Sequence, residues 1–248
     1  MPYRDVTVEA VLCAAGQVAG SDSASSPPCL RGRPMVCGRR GGAGSRICMA
    51  TGRHLVQRNI AGDYAHHLAR RADKLQVGDP ADPAVAIGPI IDAKQRDHVH
   101  RLVTDSVGLG AGLLAGGSYD GLVYRPTVLD QVTASMPAYA DEVFDPVAPV
   151  LAFDTVDEAI ELARSTPYGL SLAVLTRDVI RGVAIADAVP SGLVHINDQT
   201  VSDEAMIPFG GVGDSGTGSR HGGTQTNLEA FTETQWLTMR ATPPHYPF

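Results

Sequence analysis

The feature that most constrains the fold is an alternation of short apolar strands and amphipathic helices between residues 147 and 198. Strands are predicted at VAPVLAFD, LSLAVLTRD and GLVHIND, and helices at DEAIELARST and VIRGVAIADAV. Asp154 and Asp178 stand where these helices begin. Continuous Val, Leu and Ala runs are typical of strands buried on both faces, and helices between them connect parallel strands. The sequence therefore predicts an α/β fold with a parallel sheet flanked by helices.

The flanking regions extend this pattern on both sides. Helices are predicted at IAGDYAHHLARRADKL (60–75) and at DAKQRDHVHRLVTDSV (92–107), the second beginning at a capping Asp92 and followed by a short strand, GLLAGG. Downstream come a Gly-rich loop, PFGGVGDSGTGSRHGG, a short helix at TQTNLEAF and a terminal strand at TETQWLTMR. A lone terminal strand usually pairs with another strand, often from a neighbouring subunit.

Residues 1–45 differ in character from the rest of the chain. Most of this stretch is rich in Gly, Ser, Pro and Arg and shows neither a strand nor a helix period, although residues 6–16 could form a strand or short helix. Such a composition buries too little apolar surface to offset the entropy of ordering. We predict a poorly ordered arm at 1–45, a folded domain at 46–230, and a terminal strand and tail at 231–248.

Charge and composition exclude several classes of function. The hydrophobic content of 44% suffices for a packed core, and the net charge of −7 without a Lys/Arg run argues against nucleic acid or a membrane surface as partner. The sequence has neither an 18-residue apolar stretch nor a secretion signal, so a cytoplasmic location and a small-molecule substrate are expected. Neither the four cysteines nor the eight histidines have the spacing of a metal site, so none is predicted.

Cys48, in SRICMATGRH, allows two interpretations. Read alone, it is a small buried core residue, because free cysteine is commonly buried. A helix or turn beginning at MATGRHLV would instead offer free N–H groups, and with the cation of Arg53 these would lower the thiol pKa. The acids of DEVFDP (141–146), read alone, are better explained by a solvated strand entry than by a functional site. The Gly-rich loop lacks a G-K-[ST] ending, which favours a structural role.

Seven segments, taken in order and spacing, resemble the catalytic half of the aldehyde dehydrogenase superfamily. They are ICMATGR, LQVGDPADPAVAIGPIIDAKQRDHV, YRPTVL, DEVFDPVAPV, STPYGLSLAVLTRD, SGLVHIND and PFGGVGDSGTGSRHGG. The residues around Cys48 and in the last loop look most like those of the branch acting on benzaldehyde, vanillin and related aromatic aldehydes. The resemblance implies the fold of that catalytic domain, with the strand near Thr234 to Met239 joining a sheet shared between subunits of a homo- or hetero-oligomer.

The resemblance also assigns roles to individual residues. It implies that Cys48 is the nucleophile, whose thiolate attacks an aldehyde to give a thiohemiacetal and, after hydride transfer to the nicotinamide of NAD or NADP, a thioester that water hydrolyses to the carboxylic acid. It implies that Glu142 holds the nicotinamide ribose and that Phe144 contacts the nicotinamide.

The departures from the family pattern matter equally. The family's dinucleotide-binding domain, its oxyanion-stabilising asparagine and its Glu-Leu-Gly-Gly segment have no counterpart in this sequence, and Asp145 replaces a glycine, adding a charge that repels the cofactor. We therefore expect a truncated aldehyde dehydrogenase that is impaired alone. The alternatives are a catalytically silent fragment that associates with a complete relative, and an acylating, coenzyme A-dependent relative. The composition change near residue 46 further suggests that residues 1–45 derive from an out-of-frame or rearranged translation.

Overall fold

The computed structural model describes residues 9–11 and 47–247. Its strands are β1 (Glu9–Val11), β2 (His54–Gln57), β3 (Gly112–Ala115), β4 (Tyr119–Asp120), β5 (Val123–Tyr124), β6 (Thr127–Asp130), β7 (Val147–Phe153), β8 (Tyr168–Gly169), β9 (Ser171–Leu175), β10 (Leu193–Ile196) and β11 (Val212–Gly213). Its helices are α1 (Arg58–Ala72), α2 (Ala93–Gly108), α3 (Pro137–Ala140), α4 (Val156–Arg164), α5 (Val179–Ala188) and α6 (Thr224–Phe231). Apart from β1, the arm predicted at 1–45 lies outside the described residues, and its disorder remains a prediction.

A four-stranded sheet in the order β2-β7-β6-β3 forms the centre of the fold. Strands β2, β7 and β6 run parallel, and their side chains alternate between two apolar layers, as the pleat requires. Leu55 and Leu129 point into the larger core with α2, α3 and α4, whereas Val56 and Val128 pack with α1 on the opposite face. Both faces of this sheet are therefore covered by helices, as the sequence predicts.

The sheets also contain antiparallel pairs at their edges. Strand β3 pairs antiparallel with β6, because the connection between them carries only the β4–β5 hairpin and no crossover helix. In a second sheet, β1-β9-β10, the β9–β10 pair is parallel and β1 is antiparallel to β9. Strands β8 and β11 form a further antiparallel pair. The fold is α/β, with parallel central pairs and antiparallel edges.

The helix starts follow local capping chemistry. Asp92 accepts from the backbone N–H of Gln95 at 2.8 Å and caps α2, and Asp178 caps α5 in the same way, which confirms both predictions. Asp154 stands at the predicted helix entry, two residues before the first residue of α4, but it does not cap the helix. Thr155 caps α4, while the Asp154 carboxylate pairs with Arg58 at the surface.

The C-terminal segment differs from the core that precedes it. Helix α6 occupies the predicted TQTNLEAF stretch, but residues 232–247 form no regular element within the described chain. Trp236 is 92% exposed, and Leu237 and Met239 are also exposed. A strand paired with another subunit, as the sequence suggests, therefore remains a prediction. Among the described helices, none combines the length and apolarity needed to cross a membrane.

Candidate active site around Cys48

Cys48 lies in a tight turn directly before strand β2. The backbone N–H of Ala50 donates to the carbonyl of Ile47 at 2.7 Å, and residues 51–53 then lead into the strand without a helix. Of the helix or turn that the sequence allows here, the structure has the turn, because the chain extends into the sheet after it. The side chain is half-buried.

Burial raises the pKa of the Cys48 thiol, and hydrogen bonds from the backbone N–H groups of Cys48 and Met49 oppose this effect only in part. The carboxylates of Asp203 and Glu142 raise it further, because each disfavours a second negative charge nearby. The sequence-based expectation of a lowered thiol pKa is thus wrong. The turn supplies the predicted N–H donors, but desolvation outweighs them.

One side of the turn packs into a small apolar cluster. Its buried members are Met49 and Leu170, and the partly buried side chains packed against them are those of Ile47, Cys48, Leu193, Val201 and Phe209. Phe209 belongs to the Gly-rich loop, so this loop and the end of the β9–β10 sheet together cover the thiol. These contacts explain why desolvation dominates its titration.

A pocket beside the turn brings Glu142 and Phe144 together with Ile47 and Ala50 of the turn, whereas Cys48 itself is not among the residues that line it. It is lined by Ile47, Ala50, Thr51, Gly52, Arg53, Asp141, Glu142, Val143, Phe144, Asp145, Val147 and Tyr168. Glu142 and Phe144 therefore face the Cys48 turn across one cavity. Phe144 has a φ of 51° and is 37% exposed. A bulky residue in this left-handed region is uncommon and is found where surrounding structure imposes it.

Arg53 is placed differently from the sequence-based expectation of a cation that serves the thiol. Its side chain is only 6% exposed, and its guanidinium carbon lies 4.4 Å from the centroid of the Tyr139 ring. Its Nη2 donates to the carbonyl oxygen of Ala140 at 3.5 Å, a long hydrogen bond. The guanidinium is therefore directed toward the residues that precede Glu142.

Asp145, which replaces the family glycine, is 4% exposed and accepts from Nε2 of Gln95 at 2.8 Å. The charge of Asp145 also affects Tyr124. Burial raises the pKa of Tyr124 to about 12, and the nearby Tyr119 and Asp145 contribute further to this increase. The Asp145 carboxylate hydrogen-bonds Gln95 in the first turn of α2, and Asp145 also lines the pocket. Its predicted repulsion of a cofactor remains a prediction.

The Gly-rich loop is anchored by close backbone contacts, in line with its predicted structural role. A Cβ on Gly192 would lie 1.7 Å from the carbonyl oxygen of Gly210, so only glycine permits this approach. Arg220 donates to the carbonyl oxygens of both glycines at 3.0 Å. Gly169 donates its backbone N–H to Oγ of Ser215 at 3.2 Å.

Two contributors to the site escaped the sequence analysis. Asp203 acts on the Cys48 thiol from the loop that precedes Phe209, and the acidic pair Asp203-Glu204 was the signal that could have indicated it. Thr51 hydrogen-bonds Thr200 at 3.3 Å and so connects the turn to the same loop. In the described part of the chain, no group of three or more His, Cys, Asp or Glu side chains is arranged to hold a metal ion.

Comparison with known proteins matches residues 35–237 to the aldehyde dehydrogenase family. The chain belongs to this family. It is 58% identical over 203 residues to a vanillin dehydrogenase from an Amycolatopsis species, and 46% identical over 203 residues to a benzaldehyde dehydrogenase [NAD(+)] from Pseudomonas putida. Each match covers 82% of this chain and 42% of the relative.

Solved structures agree with this assignment. A salicylaldehyde dehydrogenase from Pseudomonas putida, complexed with salicylaldehyde, superposes with a TM-score of 0.77 at 34% identity, covering 82% of this chain and 42% of that one. A glyceraldehyde-3-phosphate dehydrogenase from Methanocaldococcus jannaschii, complexed with NADP, gives 0.70 at 32% identity, covering 75% and 40%. The chain thus spans about two-fifths of the length of the relatives it matches.

Proposed function

We propose that this chain carries the nucleophile-bearing part of an NAD(P)-dependent dehydrogenase that oxidises aromatic aldehydes to carboxylic acids, with Cys48 as the nucleophile. The observation that carries the proposal is the meeting of the Cys48 turn with Glu142 and Phe144 at one pocket. Support for an aromatic substrate comes from the relatives named for vanillin, benzaldehyde and salicylaldehyde.

The chemistry assigned to Cys48 proceeds in two stages. The Cys48 thiolate adds to the aldehyde carbon, forming a C–S bond and a thiohemiacetal oxyanion on the former carbonyl oxygen. A bound NAD or NADP would supply the hydride acceptor, and loss of the hydride from that carbon would leave a thioester on Cys48. Water then attacks the thioester carbon, the C–S bond breaks, and the carboxylic acid and the free thiol are released.

The residues of the pocket fit the nicotinamide riboside end of such a cofactor. A carboxylate at Glu142 accepts hydrogen bonds from ribose hydroxyls, and the partly exposed ring of Phe144 offers an apolar surface to a planar ring. The Asp145 carboxylate accepts a hydrogen bond from the Gln95 amide, which fixes its position but leaves its negative charge beside the pocket. The same wall therefore offers one group for the sugar and one for the base.

The protonation state of the Cys48 thiol limits the rate of chemistry that this chain can carry out alone. Because the Cys48 pKa is raised, the thiol is protonated at neutral pH and needs a base to remove its proton before attack. The nearby carboxylates of Asp203 and Glu142 raise the pKa further. We therefore expect slow chemistry from this chain alone.

An assay with a matched control tests the proposal. The purified chain is mixed with NAD or NADP and vanillin or benzaldehyde, and the absorbance of the reduced cofactor is followed beside Cys48→Ala. Hydrolysis of an activated aryl ester is measured in parallel, because it needs the nucleophile but no hydride acceptor. Activity in the native chain that is lost in Cys48→Ala supports the proposal. Equal rates in the two proteins contradict it.

A second candidate function rests on the exposed C-terminal segment. Trp236, Leu237 and Met239 present large apolar side chains to solvent, and such surfaces often mark association sites. The chain would then be a silent fragment that binds a complete aldehyde dehydrogenase. Co-purification with a complete vanillin dehydrogenase, lost on removal of residues 232–247, is the expected result for this function. Equal recovery of the shortened chain would contradict it.

A further inference from the structure

We propose that Arg53 is a positioning residue that holds the segment bearing Glu142 and Phe144 at a fixed place beside Cys48. The inference deepens the proposed function, on which it rests. Arg53 acts through its contacts with Tyr139 and Ala140, whereas Cys48 and Glu142 are the groups assigned to substrate and cofactor.

The Arg53 end of this connection is fixed by the sheet. Arg53 follows Cys48 by five residues and directly precedes β2. His54 and Leu55 of β2 are buried and pair in register with Val150 and Leu151 of β7. The position of the Arg53 backbone is therefore set by the central sheet, and the Cys48 turn is attached to the same anchor.

The Tyr139 end is fixed independently. Tyr139 is 2% exposed, and its hydroxyl donates to the carbonyl oxygen of Leu162 at 2.8 Å. Helix α3, which contains Tyr139, ends at Ala140, and the chain passes through Asp141 directly to Glu142. Holding the last turn of α3 thus determines where the Glu142 segment starts.

The guanidinium group suits this connection because of its shape. The guanidinium lies over the Tyr139 ring while one of its N–H groups donates to the carbonyl oxygen of Ala140, two contacts that a point-like ammonium makes less well together. Burial at 6% exposure strengthens the electrostatic part of both contacts. Arg53 thereby fixes both the direction and the distance of the approach to α3.

The electrostatic effect of Glu142 on Cys48 provides a readout of this geometry. Glu142 raises the pKa of the Cys48 thiol, so Glu142→Gln lowers it only while the two segments are held together. The experiment is a double-mutant cycle in the full chain. Iodoacetamide alkylation of the Cys48 peptide is followed by mass spectrometry across pH, which separates it from the peptides of the other cysteines. The result does not depend on dehydrogenase activity.

The expected outcome is a loss of coupling. In the native background, Glu142→Gln should speed alkylation roughly threefold at neutral pH by removing a nearby like charge. In the Arg53→Met background the same change should have an effect below about 1.5-fold, because the carboxylate is no longer held near the thiol. Arg70→Met, an exposed arginine on α1, serves as the control and should keep the full threefold effect.

A second pair of variants covers the case in which Arg53→Met does not fold. Tyr139→Phe loses the hydrogen bond to Leu162 but keeps the buried ring under the guanidinium and should retain most of the coupling, whereas Tyr139→Leu removes the ring and should lose it. Thermal melting of each variant shows whether the effect follows stability instead. Full coupling in both Arg53→Met and Tyr139→Leu, or its absence in the native background, overturns the inference. Aldehyde or ester turnover that survives Cys48→Ala would contradict the proposed function alone.

Discussion

The turn at residues 47–53 and the strand that follows it, β2, each contain a titratable side chain, Cys48 and His54, in different surroundings. Desolvation favours the neutral form in both: it raises the pKa of the Cys48 thiol and lowers the pKa of His54 to about 4. The Cys48 side chain is only half-buried, and the carboxylates of Asp203 and Glu142 also act on it. His54 is 3% exposed and bonds the hydroxyl of Tyr64 at 2.8 Å. The pKa of Cys48 therefore depends on nearby carboxylates as well as on burial, whereas the pKa of His54 is set by burial.

The largest expected difference between the two segments concerns packing. Leu55 of β2 is fully buried in the main core, whereas Ile47 of the turn is half-buried in the small cluster. Leu55→Ala should cost about 2–5 kcal/mol of unfolding free energy, because it leaves a cavity in the core. Ile47→Ala should cost roughly 1 kcal/mol. Urea unfolding followed by circular dichroism measures both, and equal losses would contradict the contrast.

The next prediction uses the pH dependence of stability. The pKa of His54 in the folded state is about 4, below its ordinary value, so its contribution to stability is complete above the unfolded pKa and is lost as pH falls toward the folded pKa. Lowering the pH from about 7 to about 5 should cost roughly 2 kcal/mol through this group. Urea unfolding at the two pH values measures the loss. His54→Asn should show a shallower pH dependence, and an unchanged slope would rule out His54 as its source.

A smaller effect is expected at the turn. Asp203→Asn removes a negative charge that raises the pKa of Cys48 more than Glu142 does, so the thiolate fraction and the alkylation rate at neutral pH should rise about fourfold. The rates should converge at pH values above the thiol pKa, where both proteins are ionised. Glu204→Gln, the neighbouring exposed acid, is the matched control and should leave the rate unchanged. A similar gain in both variants would indicate a general charge effect.

The smallest effect is expected just beyond β2, at the surface. Arg58 pairs with Asp154 in a bidentate contact, with Nη2 donating to Oδ2 at 2.8 Å, but both side chains are 59% exposed. Solvent and salt screen such pairs, so Arg58→Gln should leave the melting temperature nearly unchanged. Thermal denaturation at low and high salt tests this. A large loss would show that the salt bridge stabilises the junction of β2 and α1.

The sequence predicted those parts of the fold that depend on neighbouring residues. Asp92 and Asp178 cap helices because their side chains reach N–H groups three residues on, and α6 has the predicted bounds. Asp154 stands at the entry of α4 as predicted, but Thr155, one residue later, is the residue that caps the helix. The antiparallel pairing of β3 depends on a connection whose path the strand pattern does not reveal.

The candidate site was predictable in position but not in geometry. The motif resemblance selected Cys48, Glu142 and Phe144, and the structure brings their segments to one pocket. The direction of Arg53 and the burial of the Cys48 thiol depend on side chains from distant segments, such as Tyr139 and Phe209. Neither contact leaves a local sequence pattern, so the lowered thiol pKa expected from the turn alone was wrong.

The exposed Trp236 can also serve as an intrinsic fluorescent probe of assembly. It is the single tryptophan of the sequence, so the intrinsic indole fluorescence comes from one place in the C-terminal segment. At 92% exposure its emission should resemble that of an indole in water. A protein surface that covers residues 232–247 would shift this emission to shorter wavelength. Assembly can therefore be followed by titration, without any label, in the same cuvette that reports aldehyde oxidation.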